Sequence, residues 1–219
     1  MAIKGILFDM IGTTVMEKDS SVINRCFTIA FKIHGIDTAE EIIKNNRGKD
    51  KREVITTIAG KSDTDPAKVD LILKAFQSEL DKNLHNFYEN NEIRELLTWL
   101  RKKDIKIGLG TGLPESLFKS IFSHLGWENS AFDYIGIAEQ VGKGRPHPAM
   151  IFEMLNKCNL DHTELLKVGD TVADIREGKN ADVLTAALLS GTQPDEDIIK
   201  EHPDFTIRFL SELKDIIGK

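Results

Sequence analysis

With 219 residues the chain can bury a full hydrophobic core, as one domain or as one domain carrying a large insertion. Its 41% hydrophobic content and mixed-sign charges exclude an intrinsically disordered chain. A net charge of −6 argues against nucleic acid as a partner. The opening MAIKGILFDM is too short an apolar run for a signal peptide, and no later stretch has the length and apolarity to span a bilayer. The expectation is therefore a cytoplasmic protein with no membrane partner. Cys26 and Cys158, the two cysteines, lie far apart in segments with helical patterning and have no His or Cys neighbour at zinc spacing. They are expected to be buried thiols in a reducing compartment.

The first element is a predicted strand over residues 3–8, ending at Asp9 and a Gly12-Thr13-Thr14 turn. From about residue 20 to 99 no strand is predicted. Apolar residues recur there at helical spacing, as in Val22, Cys26, Ile29, Ala30 and Ile33, with breaks at Gly35, Gly48, residues 60–66 and Asn90. Strand and helix candidates then alternate: strand 105–110, helix 114–125, strand 134–137, helix 148–158, strand 166–169, helix 172–180 and strand 184–188. That rhythm predicts an α/β fold, a Rossmann-like parallel sheet flanked by helices. The all-helical block interrupts it and reads as a cap inserted after the first strand. The core then comprises residues 1–16 and 92–219 and the cap residues 17–91, with hinges near Glu17 and Asn90. The aromatic residues, mostly Phe at helical spacing, are expected in the core.

Ligands of an open parallel sheet gather beyond the carboxyl ends of its strands. Those ends carry Asp9 with Gly12 and Thr13, then Thr111 with Gly112, then Lys143 and Arg145 in one loop, then Asp170 with Asp174. Each type has a task in phosphoryl transfer. A carboxylate can attack phosphorus, but it repels a phosphate dianion unless a cation lies between them. Asp9 and Asp170 offer the hard oxygen ligands that Mg²⁺ prefers. Thr111 and backbone amides can donate to phosphoryl oxygens, and Lys143 or Arg145 can neutralise charge as the bond breaks.

The string FDMIGTT, the strand-end Thr111, the GRPHP segment and VGDTVAD resemble, in order, the four motifs of the haloacid dehalogenase superfamily. The resemblance implies that Asp9 is a nucleophile forming an aspartyl-phosphate. It also implies that the Ile11 carbonyl joins Asp9 and Asp170 around Mg²⁺, with Asp174 supporting the metal. Gly12, Thr13, Gly112 and Lys143 are then candidates on the phosphate side. Phosphatases of the superfamily carry a second aspartate two residues after the nucleophile, as acid and base; here that position is Ile11.

One branch, the phosphonoacetaldehyde hydrolases, lacks that aspartate and cleaves a carbon–phosphorus bond through a lysine imine. DMIGTT, Arg145 within GRPHP and LKVGDTVADIREGKNA resemble it, and Lys51 follows Gly48 by the three residues that set its lysine. Gly112-Leu113 and Val54 depart from its glycine–tyrosine pair and its histidine. Lys51 also stands in a run of charges that reads equally well as a solvated helix face. His147 is a further candidate acid or base. The expected substrate is a small phosphorylated or phosphonate metabolite, and the expected assembly a monomer or homodimer. The alternatives are true phosphonoacetaldehyde hydrolysis with Lys51 as imine former, or a non-catalytic binding protein on the same fold.

Overall fold

The computed structural model describes residues 2–60, 65–189 and 192–218. The chain runs β1 (Gly5–Asp9), β2 (Val15–Glu17), α1 (Val22–Ile33), α2 (Glu40–Lys44), α3 (Lys51–Ala59), α4 (Pro66–Asp81), β3 (Phe87–Glu89) and α5 (Ile93–Lys102). It continues with β4 (Lys106–Thr111), α6 (Glu115–His124), β5 (Tyr134–Ile137), α7 (Ala138–Val141), α8 (Ala149–Cys158), β6 (Leu165–Gly169) and α9 (Val172–Asn180). The last elements are β7 (Leu184–Leu188), α10 (Asp195–Ile199), β8 (Phe205–Ile207) and α11 (Leu213–Ile217).

Six strands form a parallel sheet in the order β5-β4-β1-β6-β7-β8. β1 lies between β4 and β6 with every residue buried, as a run apolar on both faces requires. From β1 the chain builds outward through β4 and β5 on one side and through β6, β7 and β8 on the other. The carboxyl end of β1 is therefore the point where the loops part and a crevice opens.

The helical block packs on itself. α1 lies along α4, where the Phe27 and Phe76 rings stack with centroids 4.1 Å apart. Local chemistry starts its helices: the Asp50 side chain accepts from the Glu53 amide at 2.9 Å at the head of α3, and Asp65 caps α4 ahead of Pro66. The block meets the sheet ends where the Lys51 amide donates to the Gly112 carbonyl at 3.2 Å.

Several expectations are corrected. The stretch read as strandless holds β3, a three-residue strand antiparallel to β2, and β8 extends the sheet beyond the predicted strands. Both are too short for an alternation signal. At the positions read as hinges, Glu17 ends β2 and Asn90 follows β3 and donates its side-chain amide to the Thr13 carbonyl at 3.1 Å, an arrangement that leaves the hinge expectation standing. Of the break at residues 60–66, residues 61–64 lie outside the described residues. Cys26 is buried, but Cys158 at the end of α8 is only half-buried. Phe152 and Phe209 are exposed rather than core. Among the described residues no helix is long and apolar enough to cross a membrane.

Candidate active site

Asp9 ends β1, where the sheet supplies the backbone bonds and the side chain projects into the crevice, 3% exposed. The turn after it is built around a second carboxylate. Thr13 donates to Asp170 at 3.1 Å, Thr192 also donates to Asp170, and Gly12, at a φ of 98°, brings its bare α-carbon against the Asp170 carboxylate. Thr14 turns its hydroxyl back onto the Asp9 and Met10 carbonyls. Asp174 sits in the first turn of α9, where Thr171 caps the helix and donates its hydroxyl to Asp174 at 2.5 Å. Oxygens of Asp9, Asp170 and Asp174 lie within 4.8 Å of one another.

The cations are equally buried. Arg145, 2% exposed, reaches Asp9 and Asp174 with the same guanidinium nitrogen. Beneath it, Lys167 pairs with Asp174 at 2.9 Å and Glu177 at 3.2 Å, all three without exposed side chain. Burial would raise the Asp174 carboxyl, but Arg145 and Lys167 overcome it and hold the group at about 2. Burial raises Asp9 despite Arg145. Burial also pushes Asp170 well above the carboxylate range, with Asp9 and Asp174 adding to the rise. Two carboxylates that burial and their carboxylate neighbours hold above the usual range, presenting only hard oxygens, suit a small divalent cation.

A cavity of about 30 Å³ lies over Asp9. Of the sequence-predicted residues it brings together Asp9, Ile11, Lys51, Thr111, Gly112 and Arg145, while Gly12, Thr13, Asp170 and Asp174 lie against Asp9 and its neighbours. The Thr111 hydroxyl accepts from the Leu113 amide at 3.1 Å. Lys143 and His147 are both exposed and line a separate outer groove of about 1000 Å³. Arg145, not Lys143, is the loop cation beside Asp9. Lys51 is 7% exposed and faces the cavity, whereas Arg52 and Glu53 of the same charge run are exposed to solvent. Its ammonium donates to the Lys49 carbonyl at 3.0 Å, and burial, with Arg145 and Arg47 nearby, pushes it down to about 8.

Sequence reasoning missed the helical wall of the cavity, which includes Ile23, Asn24, Phe27, Ile43 and Arg47. It also missed Thr192, Lys167 and Glu177. A lysine in the middle of a buried strand was the available signal for Lys167, and the loop after β7 was the strand-end place to look for Thr192.

A doubly wound sheet with an acidic cluster at its switch point and a helical block over it defines a haloacid dehalogenase-like hydrolase. The chain belongs to that family, whose model matches residues 6–188. Among its relatives, it is 25% identical to a phosphonoacetaldehyde hydrolase of Bacillus cytotoxicus, over all of this chain and 88% of the relative. It is 27% identical to a bifunctional phosphonoacetaldehyde hydrolase/aminoethylphosphonate transaminase of Clostridioides difficile, over 87% of this chain but only 32% of that protein. Solved structures share the fold. A hydrolase from Pseudomonas syringae matches with a TM-score of 0.86 at 18% identity, covering 98% of each chain. A phosphonoacetaldehyde hydrolase-like protein from Oleispira antarctica matches with 0.84 at 18% identity, covering all of this chain and 92% of its own.

Proposed function

We propose that this hydrolase transfers a phosphoryl group from a small phosphorylated or phosphonate metabolite to Asp9, with Mg²⁺ as cofactor, and then releases phosphate from the aspartyl-phosphate. The observation that carries the reading is Asp9 itself: a buried carboxylate at the switch point, paired with Arg145 and within 4.8 Å of Asp170. Asp9 and Asp170, with the Ile11 carbonyl and support from Asp174, would hold the ion. When bound, Mg²⁺ supplies the positive charge that lets an anionic nucleophile approach an anionic phosphoryl group.

Arg145 leaves Asp9 for the phosphoryl oxygens as the substrate enters, and Thr111 and the Gly112 region donate from the other side. Asp174 and Lys167 keep the Arg145 side of the site fixed and charged. Residues 17–91 act as the cap and the remainder as the core. The cavity has room for on the order of two waters, so substrate entry requires the cap to lift. The test is phosphate release from a panel of phosphorylated metabolites with Mg²⁺. Turnover that survives Asp9→Asn at the wild-type rate would sink the nucleophile assignment.

A second reading is favoured by Lys51, a buried amine in the Asp9 cavity held at about 8. An aldehyde next to the phosphonate carbon would condense with Lys51, losing water to form an imine. Attack by Asp9 then breaks the carbon–phosphorus bond, and its electron pair flows into the imine to give an enamine. Protonation and hydrolysis of the enamine release the aldehyde with C–H in place of C–P and restore Lys51, and a second water frees phosphate from Asp9. This route needs no acid at position 11. Phosphonoacetaldehyde with wild type and Lys51→Arg decides it: cleavage by the arginine variant excludes the imine.

A further inference from the structure

The chemistry above employs the sheet-end wall of the cavity, while the helical wall carries a polar group with no task. Asn24, on α1 between Ile23 and Phe27, is 3% exposed. Its side-chain oxygen is buried and has no hydrogen-bond partner among the described residues. Buried amide oxygens are nearly always bonded, and an empty one costs stability. Asn24 walls the same cavity as Asp9. We infer that Asn24 is a specificity-determining residue, accepting a hydrogen bond from a neutral hydroxyl on the organic part of the substrate. The substrate class is then a short phosphoryl compound with a hydroxyl near phosphorus, an inference that rests on the phosphoryl group lying at Asp9.

The neighbours of Asn24 select among donors. Lys51 and Arg47 stand on the same wall, so an ammonium donor meets repulsion where a hydroxyl does not. Arg47 is already engaged, donating to the Ser20 carbonyl at 3.2 Å and to Glu17, so a second anion on the substrate finds no free guanidinium. The cavity of about 30 Å³ favours a compact substrate over a long one once the cap closes. For an aldehyde substrate, the same acceptor meets the hydroxyl formed when the Lys51 amine adds to the carbonyl. A site built around such a hydrogen bond discriminates strongly against the analogue that lacks it, because its own polar group is then left unpaired.

The experiment is titration calorimetry with Mg²⁺, using 2-hydroxyethylphosphonate, n-propylphosphonate (a methyl in place of the hydroxyl) and 2-aminoethylphosphonate. None needs to react. Wild type should bind the hydroxyl compound on the order of tenfold more tightly than the propyl compound, with the amine weakest. Asn24→Leu should bring the hydroxyl-to-propyl ratio to about one while still binding n-propylphosphonate. Asn24→Ala repeats the test without added bulk, and thermal melts verify that both variants fold. No hydroxyl preference in wild type, no binding of any of the three, a preference that persists in both variants, or equal weakening of all three ligands overturns the inference. Orthophosphate binding and Asp9-dependent ester turnover are measured alongside. If they persist while the hydroxyl preference is absent, this inference falls alone; if they are absent, the proposed function falls.

Discussion

The two walls of the cavity differ in kind. The sheet-end wall presents Asp9 and Arg145, backed by a buried charged layer of Asp170, Asp174, Glu177 and Lys167. The helical wall is largely apolar, with Ile23, Phe27 and Ile43 around two cations, Lys51 and Arg47, and two amides, Asn24 and Asn46. Of the amides, Asn46 is already bonded to Ile42 and Lys49. In the first wall, burial pushes Asp9 and Asp170 upward, and the neighbouring carboxylates add to the rise. The second has no free carboxylate, since Glu17 is paired with Arg47. The contrast separates two tasks: chemistry at a rigid, over-connected wall, and choice of substrate at a sparsely polar one.

Removing the nucleophile should have the largest effect. Asp9→Asn leaves the volume unchanged and should abolish phosphate release from every substrate tested. It should not harm folding, since it relieves a buried carboxylate held above its usual range. A thermal melt beside the phosphate assay checks both halves. Loss of folding together with activity would mean that the sheet-end wall depends on that charge for structure.

The Lys167 ion pairs come next. Lys167→Met should destabilise the protein by about 3 kcal/mol, because Glu177 is left buried without its cation. Urea unfolding of the single variant, of Glu177→Gln and of the double variant measures the coupling. A double variant much more stable than the sum of the two single losses would show the pair acting as a unit. Strict additivity would break the picture of a connected wall.

Lys51 tests the other wall through pH. An unfolded lysine keeps its proton to about 10.4, whereas folded Lys51 releases it at about 8. Between those values the unfolded state binds more protons, so stability gained from this residue rises with pH. Wild type should therefore gain stability relative to Lys51→Met as pH rises from about 8 to about 10. Borohydride trapping of an aldehyde on Lys51 should climb over the window up to about 8. A flat difference between wild type and Lys51→Met would mean an ordinary, solvated lysine.

The same contrast explains what was legible in the sequence. Short buried strands that end in Asp9, Thr111 or Asp170 stand out because an apolar run stops at a polar residue, and the sheet's topology then gathers those ends. Strand limits fell within a residue or two, as with β4 at Lys106–Thr111. The helical wall was not legible because facing a core and facing a cavity impose the same spacing on α1. Asn24 interrupts that apolar face, and it was the one local sign. Lys51 was hidden in a charged run whose burial follows from the contact of α3 with the sheet ends. β3 and β8, three residues each, are fixed by tertiary pairing alone.

The smallest expected effect concerns the seam between the walls, where two glycines two residues apart separate strain from contact. Gly142 has a φ of 79° with nothing near its missing side chain. Gly142→Ala should therefore cost about 1 kcal/mol of stability with turnover unchanged. Gly144 has no such backbone demand, but an added methyl would press on Asp50, whose amide nitrogen would lie 3.1 Å away. Asp50 caps α3 just before Lys51, so Gly144→Ala should displace the head of that helix. Some stability should be lost with the displaced cap, and KM should rise by a few-fold as the helical wall seats less closely over Asp9. Parallel melts and kinetics on the two variants give the answer. If both alanines act alike, through stability only, the seam carries no part of substrate binding, and closure of the helical wall over Asp9 must be governed elsewhere.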